Sequence, residues 1–179
     1  MKTNKTPIEG LFTLSLDPHP DNRGFFLETF RMSELKKMNP SSKPFVQGCH
    51  SHSVHGVLRG LHAEPWDKLV YLVQGEVFTA VVDLRRDSKT FGKICTFKLG
   101  NSNRMAVYIP NGLAHGFMTL SLTADYSYLF TDEYSSKPRT AVMWNDPDLS
   151  IPWPIKSPVV SDSDKKNPRM RDIFPNKFK

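Results

Sequence analysis

Fourteen prolines and ten glycines are spread through this chain, and every periodic segment between them is short. Residues 69–74 and 76–84 are rich in Val, Tyr, Phe and Thr and meet at Gly75, so they read as two strands around a tight turn. Segments 93–99, 105–109, 116–120, 125–130 and 141–144 continue the series. The breaks between them are Gly100-Asn101-Ser102-Asn103, Pro110-Asn111-Gly112 and residues 135–138. Short strands at this spacing, with turn chemistry between them, predict an all-β sandwich or barrel. Residues 32–38 form the convincing helical segment, with part of the C-terminal stretch as a further candidate.

Within 76–84, period-two alternation places Val77, Thr79, Val81 and Asp83 on one face and Phe78, Ala80, Val82 and Leu84 on the other. Both faces are largely apolar, which predicts a central strand covered on both sides. Small β-barrels hold ligands in their mouths, so polar side chains embedded in such strands are the candidates for chemistry.

A chain of 179 residues, 39% hydrophobic and 23% charged, predicts a single domain over 1–179 with a core that needs no staples. Two cysteines, Cys49 and Cys95, are too few for a disulfide framework, and no CxxC pair points to zinc. A reducing cytosol is the expected compartment. No apolar run approaches the ~18 residues of a membrane span, and the N-terminus has no apolar core of signal-peptide length. The net charge of +6 owes much to Lys165, Lys166, Arg169, Arg171, Lys177 and Lys179. Beside Pro168 and Pro175, these read as an exposed or loosely packed basic segment over about 160–179, either packing on the barrel or trailing from it. No helix-turn-helix, RNP or zinc-finger pattern turns that charge toward nucleic acid.

Four of the six histidines, His50, His52, His55 and His62, lie between positions 50 and 62. His50 and His52 share a strand face, a possible metal-ligand spacing. Gly60, in Val57-Leu58-Arg59-Gly60-Leu61-His62, suits a strand where a ligand approaches the backbone closely. A further histidine, His115, follows the turn Pro110-Asn111-Gly112.

Pro110-x-Gly112-x-x-His115 resembles the second motif of the cupin superfamily, whose fold is a double-stranded β-helix or jelly-roll barrel with few helices. The first cupin motif would require His-x-His and a glutamate; His62-Ala63-Glu64 stands there instead, so a full metal set is missing. The chain is more similar to the metal-free dTDP-4-dehydrorhamnose 3,5-epimerase family. The likeness runs in order from Asp21-Asn22-Arg23-Gly24-Phe25-Phe26-Leu27-Glu28 through residues 56–62, Lys68-Leu69-Val70 and Gly75-Glu76-Val77-Phe78. It continues through Val82-Asp83-Leu84-Arg85, Thr90-Phe91-Gly92-Lys93, residues 109–117, Trp144-Asn145-Asp146-Pro147-Asp148 and Ile151-Pro152-Trp153-Pro154.

The resemblance implies an epimerase acting at C3 and C5 of a nucleotide-linked 4-keto-6-deoxy sugar. His62 would be the base, partnered by Asp164. Lys68 would stabilise the enolate oxygen, and Tyr128 would deliver a proton to the opposite ring face. Arg23, Phe26, Glu28, Gln47, Arg59 and His115 would contact substrate, and Tyr134 would stack on the nucleobase. No cofactor is implied, because the substrate's ketone is the electron sink. The 23–28 segment would reach into a neighbouring subunit's site, which implies a homodimer. Gln47-Gly48-Cys49 stands where the family usually has Gln-Asp-Asn. An acidic residue near Arg139 and a lysine near Ser163 are also absent. By the resemblance these departures lie at substrate-contact positions and leave the proton chemistry in place; dTDP-4-dehydro-6-deoxy-D-glucose is the expected substrate, with another nucleotide sugar as the alternative. Competing readings are a single-carbon epimerase, a metal cupin using His50, His52 or His115, and a sugar-nucleotide-binding module without turnover.

Overall fold

The computed structural model describes residues 1–134 and 139–178; the turn expected at 135–138 and Lys179 of the basic segment lie outside the described residues. Two sheets face each other. One runs β1 (Lys2–Lys5), β2 (Phe12–Ser15), β10 (Met105–Ile109), β7 (Lys68–Gln74), β12 (Thr123–Phe130), β5 (Gln47–Val54). The other runs β13 (Thr140–Ala141), β6 (Val57–Ala63), β11 (Leu113–Thr119), β8 (Glu76–Asp83), β9 (Ile94–Gly100), with β14 (Val159–Val160) parallel to β6. A separate hairpin joins β3 (His19–Asp21) to β4 (Gly24–Phe26), and helix α1 spans Met32–Met38. This is a jelly-roll barrel, as the strand spacing and the family resemblance predicted.

The space between the sheets is filled by alternate side chains of the facing strands. Val70 and Leu72 of β7, Val77 and Val81 of β8, Phe117 of β11 and Tyr126 of β12 are each at most 3% exposed. Burial of each such side chain contributes about 1.5–3 kcal/mol. The outer faces are covered too. Leu35 of α1 packs on Phe12, Leu14 and Tyr108 of the first sheet. On the second sheet Leu61, Val82 and Ala114 lie under Val142, Leu149, Met170 and Phe174. That cover explains why 76–84 is apolar on both faces: β8 is central, between β11 and β9, with core on either side.

Two expectations are corrected and one open choice is decided. The strands meeting at Gly75 do not pair: β7 bonds to β10 and β12, and β8 to β9 and β11. Gly75, at φ +96°, carries the chain from one sheet into the other, and a Cβ there would lie 2.3 Å from the carbonyl oxygen of Thr123. A two-residue hairpin and a sheet-to-sheet corner share the same glycine signal, so local sequence could not tell them apart. Of the two placements left open for the C-terminal segment, it packs on the barrel and is not the loose tail. Asp146 accepts a hydrogen bond from the backbone of Met170, Arg171 pairs with Asp148, and Met170 and Phe174 of helix α2 (Met170–Ile173) and its end are buried. Lys165, Lys166, Arg169, Arg171 and Lys177 face solvent while Met170 and Phe174 close the second sheet. The segment Trp144-Asn145-Asp146-Pro147-Asp148 is therefore the anchor of the C-terminal segment.

Gly60 is also not a place of close approach by ligand. At φ +133°, its missing side chain makes room for β11, and a Cβ would lie 2.5 Å from Cα of Gly116. Gly60→Ala should therefore lose about 3 kcal/mol of stability, from a disfavoured φ plus backbone overpacking. Urea unfolding monitored by tryptophan fluorescence checks this, and an unchanged midpoint would contradict the contact.

Candidate active site

Simple alternation would put Arg59 and His62, three residues apart in β6, on opposite faces, but the pairing with β11 shifts register between Phe117, opposite Arg59, and His115, opposite His62, so both side chains reach the barrel mouth. The carboxylate partner of His62 lies 102 residues further along the chain. β14 runs parallel to β6, with Val159 beside Val57 and Val160 beside Leu58, so the residues that follow rise toward Gly60 and His62. Ser161 accepts the Lys165 N–H through its carbonyl and the Asp164 N–H through Oγ, closing a 3-10 turn over Asp164–Lys166. That turn delivers Asp164 Oδ1 to 2.6 Å from Nε2 of His62, while Asp164 Oδ2 receives the Gly60 N–H at 3.3 Å. Burial works to raise the Asp164 carboxyl, but hydrogen bonds from His62, Gly60 and Asn167 outweigh it and hold the group below the usual carboxylate range. The ionised oxygen fixes one ring nitrogen and leaves the other free to exchange a proton.

His62 opens onto a cavity of about 570 Å³ between the sheet ends, lined also by Arg59, Glu64, Trp66, Tyr128 and Tyr134. An inner recess of about 60 Å³ adjoins it, where His62, Glu64 and Tyr128 meet Lys68 and His115. His62 comes from β6 and Tyr128 from β12, in opposite sheets, so the two side chains enter from facing walls.

Lys68 begins β7 and is 4% exposed, not the surface partner of Asp67 that adjacency alone would suggest. Asp67 is engaged by the Tyr108 hydroxyl and the Asn111 N–H. Burial pushes the Lys68 ammonium down to about 8, against the pull of Glu64 upward. One of its protons goes to the His62 carbonyl at 3.2 Å; an ammonium has three to give.

Tyr126 and Tyr128 share a strand face. Tyr126 is fully buried behind the recess, its hydroxyl 3.3 Å from both Thr79 and His115. Tyr128 is the one that lines the cavity; its hydroxyl is 3.2 Å from Ser51 Oγ, and burial pushes it up to about 12. His115 is buried, and burial together with Lys68 and His62 keeps it well below the ordinary imidazole value, hence neutral.

The remaining candidates divide by place. Arg59 lines the cavity and is held to β5 through Ser53 Oγ and the His52 carbonyl. Tyr134 stands at the rim, edge-on to Trp66 at 6.1 Å, and its N–H is received by Gln47 Oε1, so Gln47 positions Tyr134 without lining the cavity itself. Arg23, Phe26 and Glu28 do not line this chain's cavity. Arg23 is paired with Asp21 on the hairpin, Phe26 is 73% exposed, and Glu28 is paired with Arg31. His50 and His52 share Oδ1 of Asp125 on the exposed side of β5, while His62 and His115 have other partners. Among the described residues no group of three His, Cys, Asp or Glu side chains is arranged to hold a metal ion.

Sequence reasoning assigned no role to Ser51 or Trp66, nor a wall position to Glu64, which all border this space; Arg139 and Ser163, marked as departures from the family pattern, border it too. For Ser51 the signal was available: Gln47, Cys49, Ser51 and Ser53 alternate inward along β5. Cys49, one of the departures from the family pattern, is likewise in the cavity wall.

A model of the family described as dTDP-4-dehydrorhamnose 3,5-epimerase matches residues 5–172. The dTDP-4-dehydrorhamnose 3,5-epimerase of Shigella flexneri is 39% identical over 168 residues, covering 92% of this chain and 93% of that one. The solved structure of a 4-keto-6-deoxy sugar epimerase from the novobiocin biosynthetic gene cluster of Streptomyces spheroides is 31% identical. It superposes with a TM-score of 0.94, over 99% of this chain and 91% of that one. The dTDP-6-deoxy-D-glucose-3,5-epimerase of Legionella pneumophila, solved with dTDP-4-keto-L-rhamnose, is 35% identical with a TM-score of 0.89, over 95% of this chain and 93% of that one. With the barrel, the His–Asp pair and a match over nearly its whole length, the chain belongs to the dTDP-4-dehydrorhamnose 3,5-epimerase family.

Proposed function

We propose that the protein inverts C3 and C5 of dTDP-4-dehydro-6-deoxy-D-glucose, giving dTDP-4-dehydro-L-rhamnose through enolate intermediates. The observation that carries this reading is the meeting of His62–Asp164, Lys68 and Tyr128 around one cavity and its recess, from both sheets. A ketone at C4 acidifies the hydrogens at C3 and C5. His62, steadied by Asp164, removes one of them as general base. The electron pair moves into the C4 oxygen, whose growing charge faces the Lys68 ammonium in a recess shielded from water. Tyr128, which burial keeps protonated, then returns a proton to the carbon from the other wall. Because base and acid stand on facing walls, removal and return take place on opposite ring faces and the carbon inverts. The cavity rim carries the Arg59 guanidinium, suited to a diphosphate, and the Tyr134 ring, suited to stacking on thymine.

The proposal extends to assembly and setting. The whole chain acts as one domain, and the protein works as a homodimer in which Arg23, Phe26 and Glu28 on the exposed β3–β4 hairpin and its exit complete a partner's cavity. It works in the reducing cytosol, in keeping with the two free cysteines; no described helix is long and apolar enough to cross a membrane.

Incubation with the sugar nucleotide in deuterium oxide, followed by NMR at each ring carbon, tests the chemistry. Native protein should wash deuterium into C3 and C5 and accumulate inverted product. Tyr128→Phe should keep deuterium exchange at one or both carbons while inverted product falls about 100-fold, as expected for loss of a general acid. Inversion at the native rate in that variant would remove Tyr128 from the mechanism. Exchange confined to one carbon in native protein would reduce the activity to a single-carbon epimerase.

A further inference from the structure

Besides the Asp164 that serves His62, one carboxylate among the described residues stands in the wall of the cavity: Glu64, at a position the catalytic scheme does not use. Glu64 follows His62 by two residues just past the end of β6 and lines both the main cavity and the recess. Its oxygen Oε1 is 3.9 Å from Nη1 of Arg139, too long for a hydrogen bond, and Oε2 is buried without any hydrogen-bond partner. Both oxygens of Asp164, by contrast, are taken by His62, Asn167 and Gly60. A buried carboxylate oxygen left without a donor costs more than a neutral orphan, so an energetic gain awaits whatever supplies one. Arg59, Lys68 and Arg139 are the cations around it, and none of them donates a hydrogen bond to Oε2.

We propose that Glu64 is a specificity-determining residue that accepts a hydrogen bond from the sugar hydroxyl flanking the ketone, the one on C3. This rests on the epimerase reading above, and the position follows from it. With the C4 oxygen against Lys68, a residue sharing the recess with Lys68 and His62 stands beside the carbons next to C4. Of those, C5 carries a methyl group and the ring oxygen, neither of which can donate, whereas C3 carries a hydroxyl. A site with a buried acceptor discriminates strongly against an analogue lacking the matching donor, because the acceptor is then stranded. For a bond to a charged acceptor the expected discrimination is about 10- to 100-fold.

The experiment compares deuterium entry at C5 in the 4-keto-6-deoxy sugar nucleotide with that in its 3-deoxy congener. Native protein should favour the hydroxylated substrate by about 10- to 100-fold in kcat/KM. Glu64→Ala should lose about that factor on the hydroxylated substrate alone, so that the two substrates come within about threefold of each other. Glu64→Gln is isosteric, keeps a neutral acceptor, and should retain an intermediate preference; it carries the test if the alanine variant does not give a native thermal transition. Native protein that does not distinguish the two substrates overturns the proposal. So does a variant that distinguishes them as well as native protein does. No exchange by native protein on either substrate would instead overturn the epimerase reading itself, so the two failures are separable.

Discussion

His62→Ala should abolish deuterium entry at every ring carbon that exchanges in native protein, a loss of about 100- to 10,000-fold in the exchange rate. The size follows from the position of the side chain. Its ring is the basic group held in the cavity by an ionised partner, with Asp164 Oδ1 at 2.6 Å from Nε2. His115, the other imidazole bordering the recess, is too deeply buried to take up a proton and is already in contact with the Tyr126 hydroxyl. It cannot substitute. Since His62 is partly exposed at the cavity wall, truncation opens no core cavity; the cost is the buried Asp164 Oδ1 left without its 2.6 Å partner, so the variant should still unfold cooperatively but at a lower thermal midpoint. Exchange that persists at the native rate in a folded His62→Ala protein would contradict the assigned role.

Lys68→Met should lower kcat about 100- to 1,000-fold, the usual effect of removing one donor from a developing oxyanion. Methionine fills the same buried channel and Glu64 keeps the Arg139 guanidinium at 3.9 Å, so a cooperative thermal transition in the variant shows that the loss reports chemistry rather than folding. The native pH profile provides an independent check. Only the ammonium can stabilise the enolate, and burial has brought its pKa down to about 8, so the rate should fall as pH rises through about 8. Tyr128, pushed up to about 12, cannot produce that limb, which should survive in the residual exchange of Tyr128→Phe. Stability moves the other way. Between about pH 8 and the ordinary lysine value of about 10.4, the unfolded chain binds more protons at this residue than the folded one, so its deprotonation favours the fold. A rate that drops between about pH 8 and 9 while the melting midpoint holds or rises identifies Lys68 rather than alkaline unfolding. A flat rate to pH 10 would contradict it.

Much of the architecture was legible along the chain. The helix at Met32–Met38 and the strand at Met105–Ile109 fall where the sequence placed them, and 76–84 is the doubly covered central strand that its two apolar faces required. Other edges shifted because pairing extends past what side chains announce: β11 begins at Leu113, three residues before the alternating segment was recognised. The identities of His62, Lys68 and Tyr128 came from motif order and not from periodicity. Composition alone could not separate Tyr128 from Tyr126, since both occupy one strand face. Depth separates them: one backs onto Thr79 and His115, the other borders the open space.

What the sequence determined by itself was local: where strands can run, which faces are apolar, where glycine must relieve the backbone, and which side chains could take or hold a proton. The tertiary structure decided which of those pieces meet. Nothing near position 164 signals that a polar stretch in a basic segment will turn beneath β6, because the parallel pairing of β14 with β6 is a backbone contact blind to side-chain identity. Nor does a lysine beside an aspartate reveal that it is buried, or a glutamate two residues past a histidine that one of its oxygens lacks a donor. Burial and pairing across distant strands set the electrostatics of this site, and those arise only when the two sheets close on each other.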